Sequence, residues 1–184
     1  MKLYGPHEGA RGFTLVELLI VVIILSILAA IVVPQFANST NDAKLSALDS
    51  NLNSMRGVIE LYYQQHNNKY PSATASSGGA SLPSGASAGT GAADSEQAFI
   101  DQLTMFSNAA GQTSSIADTT NYKYGPYLKK GIPAEPISES ATVAVITTGA
   151  LGMAATAGDP GGYKFDNKTG QLIANRSTDN LDKR

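Results

Sequence analysis

The sequence predicts an α+β protein in which one long N-terminal helix packs its second half on a small antiparallel β-sheet head. Three observations predict this class. An apolar run of bilayer length covers residues 13–33, a helical apolar stripe follows it up to His66, and short β-branched segments lie near the C-terminus. We therefore expect four parts, which are a leader (1–12), a transmembrane helix (13–33), its amphipathic continuation (34–66) and a globular head (67–184).

The composition excludes several classes of function. The chain has 184 residues, a formal net charge of −2, two histidines and no cysteine. Disulfide frameworks, cysteine zinc sites and thiol nucleophiles are therefore excluded, and histidine chemistry has little to build with. A dedicated nucleic-acid binder needs a concentrated positive field, which a net negative charge does not favour. We expect neither an enzyme nor a protein that depends on a cofactor or a metal.

The apolar run is predicted to cross a membrane. A helix over residues 13–33 would be about 31 Å long, which matches a hydrocarbon core of about 30 Å. The run is far too long for one buried strand. Because Lys2 and Arg11 precede it, the leader should stay cytoplasmic and the remainder should be exported. A plain secretory signal fits less well, because its apolar core is shorter and a small-residue cleavage site follows it.

Glu17 is the one charged residue of this run and lies near its start. A carboxylate at the centre of a membrane costs up to about 3 kcal/mol, so an ionisable residue there suggests a function. The alternative is that Glu17 lies near the membrane interface and is solvated. The residues alone leave both interpretations open.

The first residues of the run and those before it form a specific motif. The segment Arg11-Gly12-Phe13-Thr14-Leu15-Val16-Glu17, followed by the apolar run and Pro34, resembles the class III signal of type IV pilins and type II secretion pseudopilins. That signal is a short basic leader that ends in Gly, then Phe, then Glu at the fifth mature position. The resemblance is close up to about Pro34 and looser beyond it, and it implies the pilin-like form of the α+β fold.

The resemblance implies processing and assembly. A prepilin peptidase would cut between Gly12 and Phe13 and would N-methylate Phe13. Glu17 would then pair with the N-terminal amine of a neighbouring subunit. The precursor would wait in the inner membrane as a single-pass protein with its head in the periplasm. An assembly platform and its ATPase machinery would build it into a self-assembled helical filament, at the cell surface or in the periplasm.

The helix is expected to continue beyond the membrane. Pro34 predicts a kink or local melting, because proline removes a backbone donor and clashes with the preceding turn. The helical pattern then resumes, with residues spaced alternately by three and four positions. The residues of this stripe are Leu45, Leu48, Leu52, Met55, Ile59, Tyr62 and His66. We expect the stripe to pack on the head, with His66 as a capping or packing residue.

The first part of the head is predicted to be mostly loop. Residues 72–93 are almost entirely Ser, Ala, Gly, Thr and Pro, which predicts a flexible surface loop. A short helix is predicted at 94–106, with Asp94 or Ser95 as its cap and Phe106 on its core face. Three further lysines make a small basic patch, which fits a solvated edge and, as the alternative, a contact with DNA or a partner. These are Lys123, Lys129 and Lys130.

The strands are predicted in the last third of the chain. Residues 142–148 predict a strand that is buried on both faces. Residues 162–174 predict a β-hairpin whose turn contains Asn167. Asp166 and Asn167 fit a turn, and they provide too few ligands to predict a calcium site. Residues 177–184 are polar and are expected to fray.

The favoured function is structural, as a subunit of a type IV pilus. A pseudopilin of a type II secretion system is the first alternative, and a minor membrane-anchored adhesin or DNA-binding subunit is the second; nucleic acid is not an expected partner of the favoured form. The chain departs from both subfamilies. It has no cysteine for the C-terminal disulfide of many pilins, and no tryptophan for the C-terminal signature of major pseudopilins. The sequence therefore does not separate pilus from pseudopilus.

Overall fold

The structure is a computed structural model that describes residues 12–79, 81–158 and 160–177, without the side chains of residues 37 and 38. The predicted leader before Gly12 and the predicted frayed end beyond Ser177 lie outside the described residues. Helix α1 covers Leu15–Gln65 and helix α2 covers Glu96–Thr104. The strands are β1 Phe106–Ser107, β2 Thr113–Ser114, β3 Val143–Ile146, β4 Tyr163–Asp166 and β5 Leu172–Ala174. The predicted α+β class is confirmed.

The chain divides into two compact units, Met1–Ala43 and Lys44–Arg184. In the described part of the first unit, the large apolar side chains are exposed from Phe13, which precedes α1, to Phe36 within it. Among the described residues, α1 is the helix that is long and apolar enough to cross a membrane. Pro34 lies inside α1, which is helical without interruption there. The bend predicted at Pro34 stays a prediction.

The second unit has a single core that is built on the predicted stripe of α1. Leu45 packs at its margin, and the other six residues of the stripe, from Leu48 to His66, are buried. Their helical spacing places them on one face, and that face meets side chains from α2 and the sheet. The partners include Phe99, Leu103, Val143, Tyr163, Phe165 and Leu172. The predicted packing of the stripe on the head is thus confirmed.

The larger sheet is mixed, with strand order β3-β4-β5. Strands β4 and β5 form the predicted hairpin and pair antiparallel, with Tyr163 opposite Ala174. Strand β3 pairs parallel with β4, with Val143 opposite Tyr163. Parallel neighbours need a crossover connection, and the segment between β3 and β4 is long enough to provide one. The head therefore contains a parallel pair as well as the antiparallel pairs that we expected.

Strand β3 differs from its prediction in burial. Val143 is buried, but Ala144 is exposed and the next two residues are half-buried. The prediction of a strand buried on both faces is therefore wrong. The physical reason is that only one face of β3 meets the core, where Val143 packs, whereas the other face meets solvent. Its apolar, β-branched sequence does not report this asymmetry.

Helix α2 is shorter than predicted. Ser95 is its N-cap, and the Ser95 Oγ accepts a hydrogen bond from the amide of Ala98 at 3.1 Å. The helix ends before Met105, which is extended. Phe106, which we expected on the core face of the helix, instead begins β1 and is half-buried. Strand β1 pairs antiparallel with β2 in a separate two-stranded sheet.

The Ser/Gly/Ala-rich segment 72–93 is attached to α2 near both ends. The carboxylate of Asp101 accepts hydrogen bonds from the Ser76 hydroxyl at 2.6 Å and from the Thr90 amide at 2.8 Å. Ser76 is fully buried and Asp101 is 6% exposed. The composition predicts a flexible loop, but the parts of the segment around Ser76 and Thr90 are held in place, because both bind the buried carboxylate of Asp101 on α2. Flexibility of the middle of the segment stays a prediction.

Candidate functional site at the start of helix α1

The first turn of α1 forms a reciprocal capping box. The carboxylate Oε2 of Glu17 accepts hydrogen bonds from the Thr14 amide at 2.9 Å and from the Thr14 hydroxyl at 2.8 Å. The Thr14 Oγ1 in turn accepts the Glu17 amide at 3.2 Å. Free amides at a helix start need acceptors, and here two side chains three residues apart supply them for each other. Glu17 thus has a local partner within its own chain.

We did not predict this role of Thr14 from the sequence. A Thr followed three residues later by a Glu, immediately before an apolar run, is the usual signal of a capping box. The sequence predicts one of two roles for Glu17, as a solvated group or as the partner of a neighbouring subunit's amine. The structure adds a third state, in which the carboxylate stabilises the start of its own helix.

The predicted processing residues lie immediately before this turn. Among the described residues, no atom lies within 4 Å of the position that a Cβ on Gly12 would occupy, and Phe13 is 81% exposed. The described part of the chain therefore does not cover the bond between them. Cleavage at Gly12, methylation of Phe13 and subunit assembly through Glu17 stay predictions.

The helix behind this turn offers no second charged group up to Val33. Ser26 donates its hydroxyl to the carbonyl oxygen of Ile23 at 2.7 Å, so its polar group is satisfied within the helix. A helix in hydrocarbon must satisfy its polar groups in this way. Glu17 is consequently the one group of the run whose charge needs a partner from outside the helix once water is removed.

His66 lies at the other end of α1 and is a packing residue, as predicted. Its ring stacks on Tyr62 with a centroid distance of 3.6 Å, and only 1% of the residue is exposed. Nδ1 lies 2.8 Å from the Tyr62 carbonyl oxygen, and Nε2 lies 2.9 Å from the Ser107 Oγ. Burial lowers the pKa of His66, because the charged imidazolium is poorly solvated there.

The polar residues of the hairpin turn bind to protein groups. Asp166 accepts hydrogen bonds from the Thr148 hydroxyl at 2.7 Å and from the amides of Gly149 and Lys168 at 2.8 and 2.9 Å. Burial alone would raise the pKa of Asp166, but these donors lower it overall. Within the described ranges, no group of three His, Cys, Asp or Glu side chains is arranged to hold a metal ion. The geometry is that of a closed turn.

The N-terminal capping box and the exposed, bilayer-length apolar helix behind it are typical of a membrane-anchored N-terminus. Comparison with known proteins agrees with this class. Residues 9–33 match the family described as the prokaryotic N-terminal methylation motif. The resemblance of this segment to type IV pilins and type II secretion pseudopilins is thereby confirmed.

Individual relatives come from both subfamilies. The chain is 39% identical over 61 residues to type II secretion system core protein G of Pseudomonas aeruginosa, which is 33% of this chain and 42% of that protein. It is 38% identical over 74 residues to type IV major pilin protein PilE1 of Neisseria gonorrhoeae, which is 40% of this chain and 44% of that protein. It is 48% identical over 50 residues to type IV major fimbrial protein FimA of Dichelobacter nodosus, which is 27% of this chain and 32% of that protein.

Each match covers only part of the relative. The matched part spans less than half the length of each of the three curated relatives. No solved structure matches the chain.

Proposed function

We propose that the chain is a structural subunit of a type IV pilus, processed by a prepilin peptidase and assembled into a helical filament. One observation carries the proposal. A capped helix start with a single carboxylate stands at the head of a bilayer-length helix whose apolar side chains find no partner within the described chain. The match of residues 9–33 to the methylation motif supports the same function.

Processing is the first step of the proposal. The peptidase hydrolyses the bond between Gly12 and Phe13, which leaves the apolar helix in place as an anchor. The absence of a side chain at Gly12 lets an extended substrate enter a narrow cleft. A bound methyl donor then transfers its methyl group to the new Phe13 amine, which releases one proton. The precursor resides in the inner membrane with its head in the periplasm.

Assembly is the second step. The apolar half of α1 leaves lipid and packs among the same helices of other subunits, at little cost, because lipid tails and aliphatic side chains are similarly apolar. In that bundle, Glu17 exchanges its contact with Thr14 for the Phe13 amine of a neighbour. Two opposite charges brought together in this way avoid the penalty of an unpaired buried charge. An assembly platform and its ATPase supply the work of extraction.

A pseudopilin of a type II secretion system is the second candidate. Three of the curated relatives with the best matches are core protein G of such systems, which supports it. Both candidates use the same N-terminal segment, and they differ in where the filament stands and what it serves. A minor adhesin or DNA-binding subunit has less support, because no separate observation in the described part of the first unit favours it.

The decisive experiment determines both the processing and the location. The intact mass and N-terminal residue of the native protein are measured in membranes and in filaments sheared from the cells, and the secreted proteome is compared with that of a deletion strain. A methylated Phe13 terminus in abundant sheared filaments is the result expected for a pilus. A normal pilus with a depleted secretome after deletion would instead establish the pseudopilin. A native protein that retains Gly12 would refute both.

Gly12 also has a matched control within the chain. Gly57 likewise has no atom within 4 Å of the position that a Cβ would occupy, and it lies in the second half of α1. Gly12→Leu should leave the uncleaved precursor in the membrane, whereas Gly57→Ala should be cleaved normally. Equal processing of the two variants would show that Gly12 is not the recognised residue.

A further inference from the structure

A groove on the second unit runs along the side of α1 next to the buried stripe. Its wall is the segment 123–133, and two adjoining hollows share the ring of Tyr127. The floor residues follow the same helical spacing as the buried stripe, displaced by one position along the surface. They are Asn51, Ser54, Val58, Leu61 and Gln65. We name this surface the lysine groove.

The charge of the lysine groove has one sign. Lys123 lines one hollow, Lys129 and Lys130 line the other, and all three side chains are exposed. Within the described part of the chain, none of the three forms an ion pair, and no acidic residue lines either hollow. Positive charge that is not compensated by the protein attracts an anionic partner.

The floor between these cations is partly apolar. Leu61 is 45% exposed although it is a large aliphatic residue, and Val58 and Pro126 lie beside it. From Asn51 to Gln65 the helix rises about 21 Å. An extended peptide of about six residues covers that length. The groove therefore suits a ligand with anionic groups at its ends and an apolar group between them.

The tyrosine rings of the groove are already in contact with protein groups. The Lys123 Nζ lies 5.3 Å from the Tyr124 ring centroid, and His66 lies 5.2 Å from the same ring. Tyr127 packs its edge on Tyr62, and its hydroxyl binds the Gln65 side chain at 2.5 Å. Single-stranded nucleic acid uses free aromatic faces as stacking platforms. These contacts favour a peptide over nucleic acid.

The exposed carboxylates of this chain do not form a matching segment. In the described ranges they occur singly along the sequence, at Glu17, Asp42, Glu60, Asp94 and Glu139. An extended acidic ligand is therefore not available from the described part of a second copy. We propose that the lysine groove binds an extended acidic segment of a partner protein, with an apolar side chain between its carboxylates. This interaction is separate from filament assembly through the first unit.

The test measures binding of a defined probe to the full chain in detergent micelles. The probe is a fluorescent eight-residue peptide, Asp-Glu-Asp-Leu-Phe-Asp-Glu-Asp, and its amide analogue carries Asn and Gln in place of the acids. We expect the acidic peptide to bind at least about tenfold more tightly than the analogue, and to bind more weakly as salt rises. Equal binding of the two peptides would overturn the proposal.

Variants assign the binding to the groove. The triple substitution Lys123→Gln, Lys129→Gln and Lys130→Gln should weaken the acidic peptide about tenfold, because each exposed charge contributes modestly. Lys69→Gln with Lys168→Gln is the matched control, since both of these lysines are exposed outside the groove. An equal loss in the control would show that net charge, and not the groove, binds the peptide.

A third variant and a competitor complete the test. Leu61→Ala removes an exposed side chain, so the head should keep its fold, and the peptide should bind several-fold more weakly. Unchanged binding by Leu61→Ala would remove the apolar floor from the proposal. An oligothymidylate that binds more tightly than the acidic peptide and displaces it would show that the occupant is nucleic acid. Self-association that displaces the peptide would show that it is a second copy.

Discussion

The two halves of α1 have opposite surroundings although they form one continuous helix. The first half exposes its large apolar side chains, and Ile24 is 52% exposed in the middle of the run. The second half buries a narrow stripe, and Leu52 is 1% exposed. A helix that is apolar on all sides needs partners all round, whereas a helix with one apolar stripe needs one. The first half of α1 therefore suits contact with lipid or with other helices, and the second half suits packing on its own head.

The largest expected effect is on the first half, from Glu17→Ala. Membrane insertion should be intact, because an apolar residue replaces a charge. Assembly should fall by two to three orders of magnitude, because an unpaired buried amine costs about 3–5 kcal/mol and about 1.4 kcal/mol is tenfold. Sheared filaments are quantified beside the mature subunit in membranes.

Glu60→Ala is the matched control for Glu17. Its carboxylate is also exposed on α1, but it lies in the second half, where it accepts a hydrogen bond from the Tyr70 hydroxyl at 3.3 Å. Assembly of the Glu60→Ala subunit should be close to normal. Normal filaments from a Glu17→Ala strain would refute pairing through Glu17, and the processing proposal would still stand.

The next largest effect is on the core of the second half. Leu52→Ala should lower the free energy of unfolding of the head by about 2–5 kcal/mol, because it leaves a cavity beneath the helix. Leu25→Ala makes the same change in the first half, where Leu25 is 59% exposed. Its effect on the same unfolding transition should be close to zero. Denaturant unfolding of both variants in detergent, followed by tyrosine fluorescence, measures the difference.

A smaller effect is expected at the capping box. Thr14→Ala removes the hydroxyl that binds Glu17 and should destabilise the helix start by about 1 kcal/mol. Thr14→Ser keeps the hydroxyl and should behave like the parent chain. The measurement is amide hydrogen exchange over the first two turns of α1 in detergent. If both variants exchanged at the parent rate, the capping box would not stabilise the helix start.

The sequence predicted those features that repeat or follow a strict motif. The stripe from Leu48 to His66 is buried as expected, because its six regularly spaced positions define one helix face. The β4–β5 hairpin was also predicted, because turn-forming residues from Asn167 to Gly170 lie between two strand-like segments. The structure agrees, with Gly170 at φ +75° in the turn. Both features depend on neighbours in sequence, which a single chain displays directly.

Features that depend on distant partners were missed or misjudged. The exposed face of β3 depends on which other parts of the chain cover the sheet, and the residues of β3 do not report this. The buried arms of segment 72–93 depend on Asp101 and Gln102, and the Gln102 side chain binds the Ser72 amide at 2.6 Å and the Thr74 carbonyl oxygen at 2.9 Å. A composition dominated by Ser and Gly gives no indication of partners on another helix.

The candidate site also contains both features that the sequence predicted and features that it did not. Gly12, Phe13 and Glu17 were identified from a motif, whereas the contact from Thr14 to Glu17 was overlooked although its spacing was visible. The lysines of the groove were recognised as a small basic patch. Their position beside Leu61 was not predictable, because segment 123–133 approaches α1 only through the fold of the head.

The last expected effect is a dependence of head stability on pH that comes from His66. Its pKa is lowered below the ordinary value of 6.5 by burial, so the folded head holds the neutral ring more strongly than the unfolded chain does. The stabilisation is complete above pH 6.5 and is lost as the pH falls from the unfolded pKa towards the folded one. Within this window the free energy of unfolding should decrease by at most about 1.4 kcal/mol per pH unit.

The groups packed around the ring allow this assignment. In the described part of the chain, the side chains of Tyr62, Ser107, Tyr124 and Tyr127 contact the imidazole, and none of them is a carboxylate. The pKa of Asp166 is lowered from 3.8, so Asp166 titrates below the pH window of His66. His66→Gln keeps polar atoms near Ser107 but does not titrate, so its unfolding free energy should be flat where that of the parent chain falls. An unchanged slope in His66→Gln, measured by urea unfolding between about pH 5 and pH 7.5, would show that another group carries the pH dependence of the second half of α1.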